Sequence, residues 1–140
     1  MTANDLDRIE AALGFPLPAF YPRFMLAYPP VLRARQPEWL RPVTRGELAD
    51  DAELVIEVNR FVRAQEAGYF FDDAPWPDEY LVIGTEYDQN NFAINRLDGK
   101  QAVYFWGHED GEMRRVAGSL PGYVRWLIRW WEDIRRDSEA

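Results

Sequence analysis

Carboxylates and aromatics are the side chains of this sequence with enough density to do chemistry. Asp72-Asp73 and Asp78-Glu79 are adjacent acid pairs that could chelate a hard cation. Asp88-x-Asn90 has the opening spacing of a calcium loop, but the required glycine and distal glutamate are missing. Acid pairs could also serve glycoside hydrolysis, which depends on a separation in space that spacing in sequence does not give. His108 is the single histidine and sits in a turn-like run, His108-Glu109-Asp110-Gly111, with no nucleophile or orienting carboxylate in a recognisable motif beside it. There is no cysteine, so disulfides, thiol nucleophiles and zinc-thiolate centres are excluded. Neither a phosphate-cradling glycine loop nor a serine-hydrolase elbow is present. The expectation is a domain that is not an enzyme and needs no metal or cofactor.

Binding chemistry is better represented. Tyr69-Phe70-Phe71-Asp72-Asp73-Ala74-Pro75-Trp76 mixes aromatics with acids and has no regular period, the composition of an interface anchor rimmed by charge. Packing of Phe70 and Phe71 beneath a sheet is the competing reading. The net charge of −8 is concentrated: residues 66–112 hold 11 acids against Arg96 and Lys100, a balance of −9, with −1 before and +2 after. Such a field repels phosphate backbones and speeds encounter with a basic partner. The candidate partner-binding residues are therefore Phe70, Asp72, Asp73, Trp76, Asp78, Glu79, Glu86 and Asp88. A solvated acidic face serving solubility is the alternative, and Trp39 and Trp131 mark the next places to look for a binding surface.

The elements that must position these residues change period along the chain. Leu6, Ile9, Ala12 and Leu13 fall on one helical face, with Asn4 as the expected cap and Gly14 as the stop. Pro18 suits the first turn of a second helix carrying Phe20, Tyr21, Phe24, Met25 and Tyr28, and Pro22 must lie near its start or kink it. Thr44-x-x-Glu47 fits a capping box, and Leu54, Val58, Phe61 and Val62 follow helical spacing up to Gly68. The pattern then becomes strand-like: Tyr80–Gly84, Asn91–Asn95, Ala102–Trp106 and a short strand near Met113–Val116. Short turns at 85–90, 97–100 and 107–112 allow only antiparallel pairing. A last helix, capped by Ser119 or begun at Pro121, carries Leu120, Tyr123, Val124, Leu127, Trp130, Trp131 and Ile134 on one stripe, with Trp126 and Trp130 four apart. The fold class is α+β, an antiparallel β meander of about four to six strands packed against N-terminal and C-terminal helices. At 140 residues one domain, 1–140, is expected. The acidic start and the lack of a membrane-length apolar run predict neither signal peptide nor membrane span, and a cytoplasmic location.

In this order the residues resemble the SUKH superfamily, named partly for the yeast cell-wall assembly regulators and widespread among bacterial immunity proteins. The matching pieces are Ile9-Glu10-x-x-Leu13-Gly14, Leu17-Pro18-x-x-Tyr21-x-x-Phe24, Trp76-Pro77-x-x-Tyr80-Leu81-Val82-Ile83-Gly84-Thr85 with Phe92-Ala93-Ile94, Gly99-x-x-x-Val103-Tyr104, and Val116-Ala117-x-Ser119-Leu120. Tyr28-Pro29-Pro30 stands where the family often has Asn-Gly. The resemblance implies an α+β domain without catalysis that binds a protein partner. The charge and the lack of a long apolar run add the expectation of no nucleic-acid or membrane binding, and the chain is expected to be a monomer or homodimer. In bacteria that partner is commonly a toxin encoded beside its antidote, and the acidity here suggests a toxin with a basic substrate groove. A regulatory adaptor binding a housekeeping protein is the alternative.

Overall fold

A computed structural model describes residues 1–35, 46–64, 75–86 and 90–139. Five helices and four strands follow one another as α1 (Ala3–Leu13), α2 (Phe20–Leu26), α3 (Pro30–Arg35), α4 (Ala52–Ala64), β1 (Tyr80–Thr85), β2 (Asn91–Asn95), β3 (Val103–Trp106), β4 (Met113–Ala117) and α5 (Leu120–Glu139). The strands form one sheet in the order β1-β2-β3-β4, each neighbouring pair antiparallel. The α+β meander expected from the sequence is therefore present, with four strands among the described residues.

Local chemistry explains the element ends. The cap of α1 lies two residues before the expected Asn4, because Thr2 and Asp5 form a reciprocal capping box: Asp5 N donates to Thr2 Oγ1 (3.1 Å) and Thr2 N donates to Asp5 Oδ2 (2.9 Å). Gly14 ends it at φ 79°, a left-handed conformation that glycine adopts without strain. Pro22 lies in the first turn of α2, where its missing N–H breaks no helical bond. Ser119 caps α5, its Oγ accepting from Gly122 N at 3.1 Å. Glu47 does not serve as the third residue of a helix. It lies in a non-helical stretch, 46–51, and α4 is instead started by Asp51, whose Oδ1 accepts from Glu53 N at 2.9 Å.

The main core lies between one face of the sheet and the helices. Leu81, Ile83, Phe92, Ile94 and Val103 pack with Leu6 and Ile9 of α1, Tyr21 and Met25 of α2, and Leu120, Tyr123, Val124, Leu127 and Trp131 of α5. Phe92 touches the Tyr123 and Trp126 rings at 5.2 and 5.8 Å, which sets α5 over the middle of the sheet. A smaller cluster on the other face joins Val82, Ala93 and Trp106 to Val62 and Trp76. α4 straddles the β1 edge: Val55 and Ile56 enter the main core while Val62 enters the second. Its buried face is Ala52, Val55, Ile56, Asn59 and Val62, and the expected core residue Phe61 is 48% exposed. On α5, Trp131 is buried and Trp130, stacked on Trp126 at 5.7 Å, is half-buried.

The outer edge of β1 is closed by side chains and by the strap 46–49. Asn59 Nδ2 donates to Val82 O (2.8 Å) while Val82 N donates to Asn59 Oδ1 (2.9 Å), so one buried amide imitates a neighbouring strand. Beyond a bulge between Val82 and Gly84, Ala49 N donates to Ile83 O (2.9 Å) and Thr85 N to Gly46 O (3.1 Å). At the strand start, Tyr80 O accepts from Trp76 Nε1 and Arg63 Nη2, both at 2.8 Å. The strap comes so close that a Cβ on Gly84 would stand 1.9 Å from Glu47 O. Only glycine fits there.

Candidate protein-binding surface

A meander of short strands sends its first and third turns to one end of the sheet and its second turn to the other. The acidic residues expected to act together are divided by this topology. Trp76, Asp78 and Glu79 precede β1, whereas Glu86 follows it, and a six-residue strand separates the two groups by about 20 Å.

At the β1 start, two of the expected contact residues have structural roles. Trp76 is 6% exposed, meets the Trp106 ring edge-on at 5.8 Å and donates its indole N–H to Tyr80 O. It is a core residue, a correction to its expected role as an exposed anchor. The physical reason is the second face of the sheet, where Val82, Ala93 and Trp106 need a cover. Asp78 is 73% exposed yet held by Arg63 (Nη1 to Oδ1, 2.7 Å) and by Arg96 through Nη2, with Arg96 Nε bonding its carbonyl at 3.0 Å. Partial desolvation pulls the Asp78 pKa up, and the hydrogen bonds and charges of the two guanidiniums outweigh it, leaving the carboxyl below its ordinary value. Both guanidiniums also stack on the Phe15 ring, at 4.8 and 4.1 Å from its centroid. Asp78 is thus neutralised within a brace joining the α1–α2 link, α4 and the sheet. Glu79 is half-buried beside it, its carbonyl accepting from Arg96 N at 2.8 Å. Phe70, Asp72, Asp73 and Asp88 lie outside the described residues.

The opposite end gathers acids that sequence spacing kept apart. Asn90 links the two turns: its Nδ2 donates to Glu86 Oε1, and its Oδ1 accepts from His108 N at 2.8 Å. A Cβ built on Gly107 would lie 3.3 Å from the Phe105 ring, 3.5 Å from Asp110 Oδ1 and 3.8 Å from Asn90 Oδ1, so the turns are in van der Waals proximity. Glu86, Glu109, Asp110 and Glu112 share this end, with Glu109 and Glu112 exposed. Arg114 pairs with both Asp110 and Glu112. Glu109, Asp110 and Glu112 were missed as site residues, although the meander and its turn positions were legible and together place 107–112 beside 85–90. His108 is exposed and contributes its backbone N–H, and among the described residues no group of three or more His, Asp or Glu is placed to hold a metal. What this end can do is present negative charge and hydrogen-bond acceptors on two turns linked through Asn90.

A second ionisable group lies inside. Glu47 is 1% exposed, and neither carboxylate oxygen has a hydrogen-bond partner among the described residues. Burial pushes its pKa up to about 7, countered in part by its own backbone N–H and the nearby Trp131 indole and reinforced by Glu86. The Trp131 N–H also lacks a geometrically complete hydrogen bond, so the two groups are neighbours without being bonded. The Glu47 backbone carbonyl accepts from the buried Tyr123 hydroxyl. No helix among the described residues is long and apolar enough to cross a membrane.

Among known families, the model of the SMI1 / KNR4 family (SUKH-1) matches residues 1–126, a span that includes the whole sheet and both turns of the acidic end. No curated protein and no solved structure matches the chain.

Proposed function

The chain belongs to the SMI1 / KNR4 family (SUKH-1), and from that premise we propose that it is a non-catalytic, cytoplasmic immunity protein that neutralises a cognate bacterial toxin by binding it directly. The observation that carries this reading is the acidic end of the sheet, where Glu86, Glu109, Asp110 and Glu112 stand together against Arg114. An excess of exposed negative charge steers a basic partner into contact and acts mainly on the association rate. The partner is a protein with a basic groove, such as one that handles a polyanionic substrate, and the acidic end occludes that groove. Asp88, flanked in sequence by Glu86 and Asn90, belongs to the same proposed surface, and so does the Phe70-Asp72-Asp73 segment on the strength of its composition.

The test is co-purification with the product of the neighbouring gene, followed by binding kinetics across a salt series. Replacing Glu86, Glu109 and Glu112 with lysine should slow association at low salt and converge with the wild type at high salt, where charges are screened beyond about 3 Å at 1 M. Association that ignores both salt and these reversals would remove the acidic end from the interface. A neighbour with no toxin domain, and a housekeeping protein in the pull-down, would support an adaptor instead.

A further inference from the structure

The two edges of the sheet are treated differently. Along β1, the outward groups of Tyr80, Val82, Ile83 and Thr85 are bonded by Arg63, Trp76, Asn59 and the strap. Along β4, the backbone groups facing away from β3 have no hydrogen-bond partner among the described residues. β4 carries a register irregularity at Val116, between the Tyr104–Arg115 and Val103–Ala117 pairs, and a strand edge whose N–H and C=O groups are unbonded among the described residues is a template for another strand.

The charge beside that edge is opposite to that of the rest of the molecule. Residues 113–131 contain four arginines and no acid, within a chain of net charge −8. Arg114 and Arg115 are exposed and, as consecutive strand residues, project to opposite faces of the sheet. Arg114 is held by Asp110 and Glu112, but Arg115 and Arg125 form no ion pair among the described residues. Both of these guanidiniums converge on the C-terminal end of β4. Arg115 Nη2 lies 2.6 Å from the point where a Gly118 Cβ would stand, and Arg125 Nη2 and Ala117 Cβ lie 3.7 and 3.9 Å from the corresponding point at Gly122.

We propose that the outer edge of β4 docks an extended acidic segment of a partner protein, which joins the sheet as a fifth strand beside Arg115 and Arg125. Strand pairing supplies affinity through main-chain hydrogen bonds, and the arginines select the sign of the incoming side chains. The same arginines disfavour a second copy of this chain at the edge, because antiparallel β4–β4 pairing would set like charges against one another. This docking is independent of the acidic turns, and either surface can fail while the other holds.

Three short peptides test it: alternating Thr and Glu, alternating Thr and Lys, and the Thr-Glu peptide with N-methylated backbone amides. NMR titration of the full chain at low salt should show the Thr-Glu peptide binding about tenfold tighter than the Thr-Lys peptide. Amide exchange should slow at residues 113–117. The N-methylated peptide keeps the charge but cannot pair as a strand, and it should bind far more weakly. The double variant Arg115→Glu, Arg125→Glu changes exposed side chains, should keep its circular dichroism spectrum, and should invert the preference between the first two peptides. Equal binding of the N-methylated peptide would mean that the arginines attract any polyanion and that the edge is not used. Absence of binding, protection confined to other strands, or self-association of the chain through β4 would each overturn the proposal.

Discussion

Replacing Glu47 with glutamine keeps the shape of the side chain and removes its charge, so it isolates the cost of ionising a buried carboxyl. The group has an ordinary value of 4.5 and is pushed up to about 7 in the folded protein. Between those values the native state holds a proton that the unfolded chain releases, so stability falls as pH rises. The contribution is fully present below 4.5 and is lost as pH climbs through about 7, with no further change above it. The difference corresponds to about 3 kcal/mol, an upper figure because a strap of four residues can relax around the charge. Urea unfolding of wild type and Glu47→Gln at pH 4.5, 6, 7 and 8 measures it, with the surface carboxylates cancelling in the difference. The variant should gain on the wild type by about 3 kcal/mol across this range, most of it before pH 7.5. If the two proteins keep a constant stability difference from pH 4.5 to 8, Glu47 is not ionising in a buried site and the reasoning is wrong.

Three further substitutions probe the elements that hold the surfaces. Asn59→Ala should cost about 2 kcal/mol or more in urea unfolding, because it leaves Val82 N and O buried without partners; a loss below about 0.5 kcal/mol would mean that water replaces the amide. Gly84→Ala should destabilise the protein and speed amide exchange at Ala49 and Thr85, since its Cβ would overlap the Glu47 carbonyl; unchanged exchange at both would contradict the close approach of the strap. Trp76→Ala should cost about 3 to 5 kcal/mol as a core truncation, read by thermal unfolding, whereas an exposed anchor would leave stability nearly untouched and change only partner dissociation.

Short-range chemistry made much of the fold legible in the sequence. The short strand run Asn91–Asn95, which the structure buries on both faces, the glycine stop at Gly14, the Ser119 cap and the three short turns each depend on residues within a few positions, and they specify an antiparallel meander between helices. Which acids share a surface does not follow from proximity in sequence. Asp78 lies in an acidic run, but its charge is cancelled by Arg63 and Arg96, 15 and 18 positions away. Trp76 lies in a polar stretch, but the uncovered second face of the sheet draws it inward. Glu47 has the spacing of a helix cap, but the need to close the β1 edge places it in the strap with its carboxyl buried. Periodicity and turn residues act through local backbone preferences, so the chain itself determined the order and pairing of its elements. Burial, neutralisation and the closing of the β1 edge arise from contacts between distant segments, and the tertiary structure alone decided them.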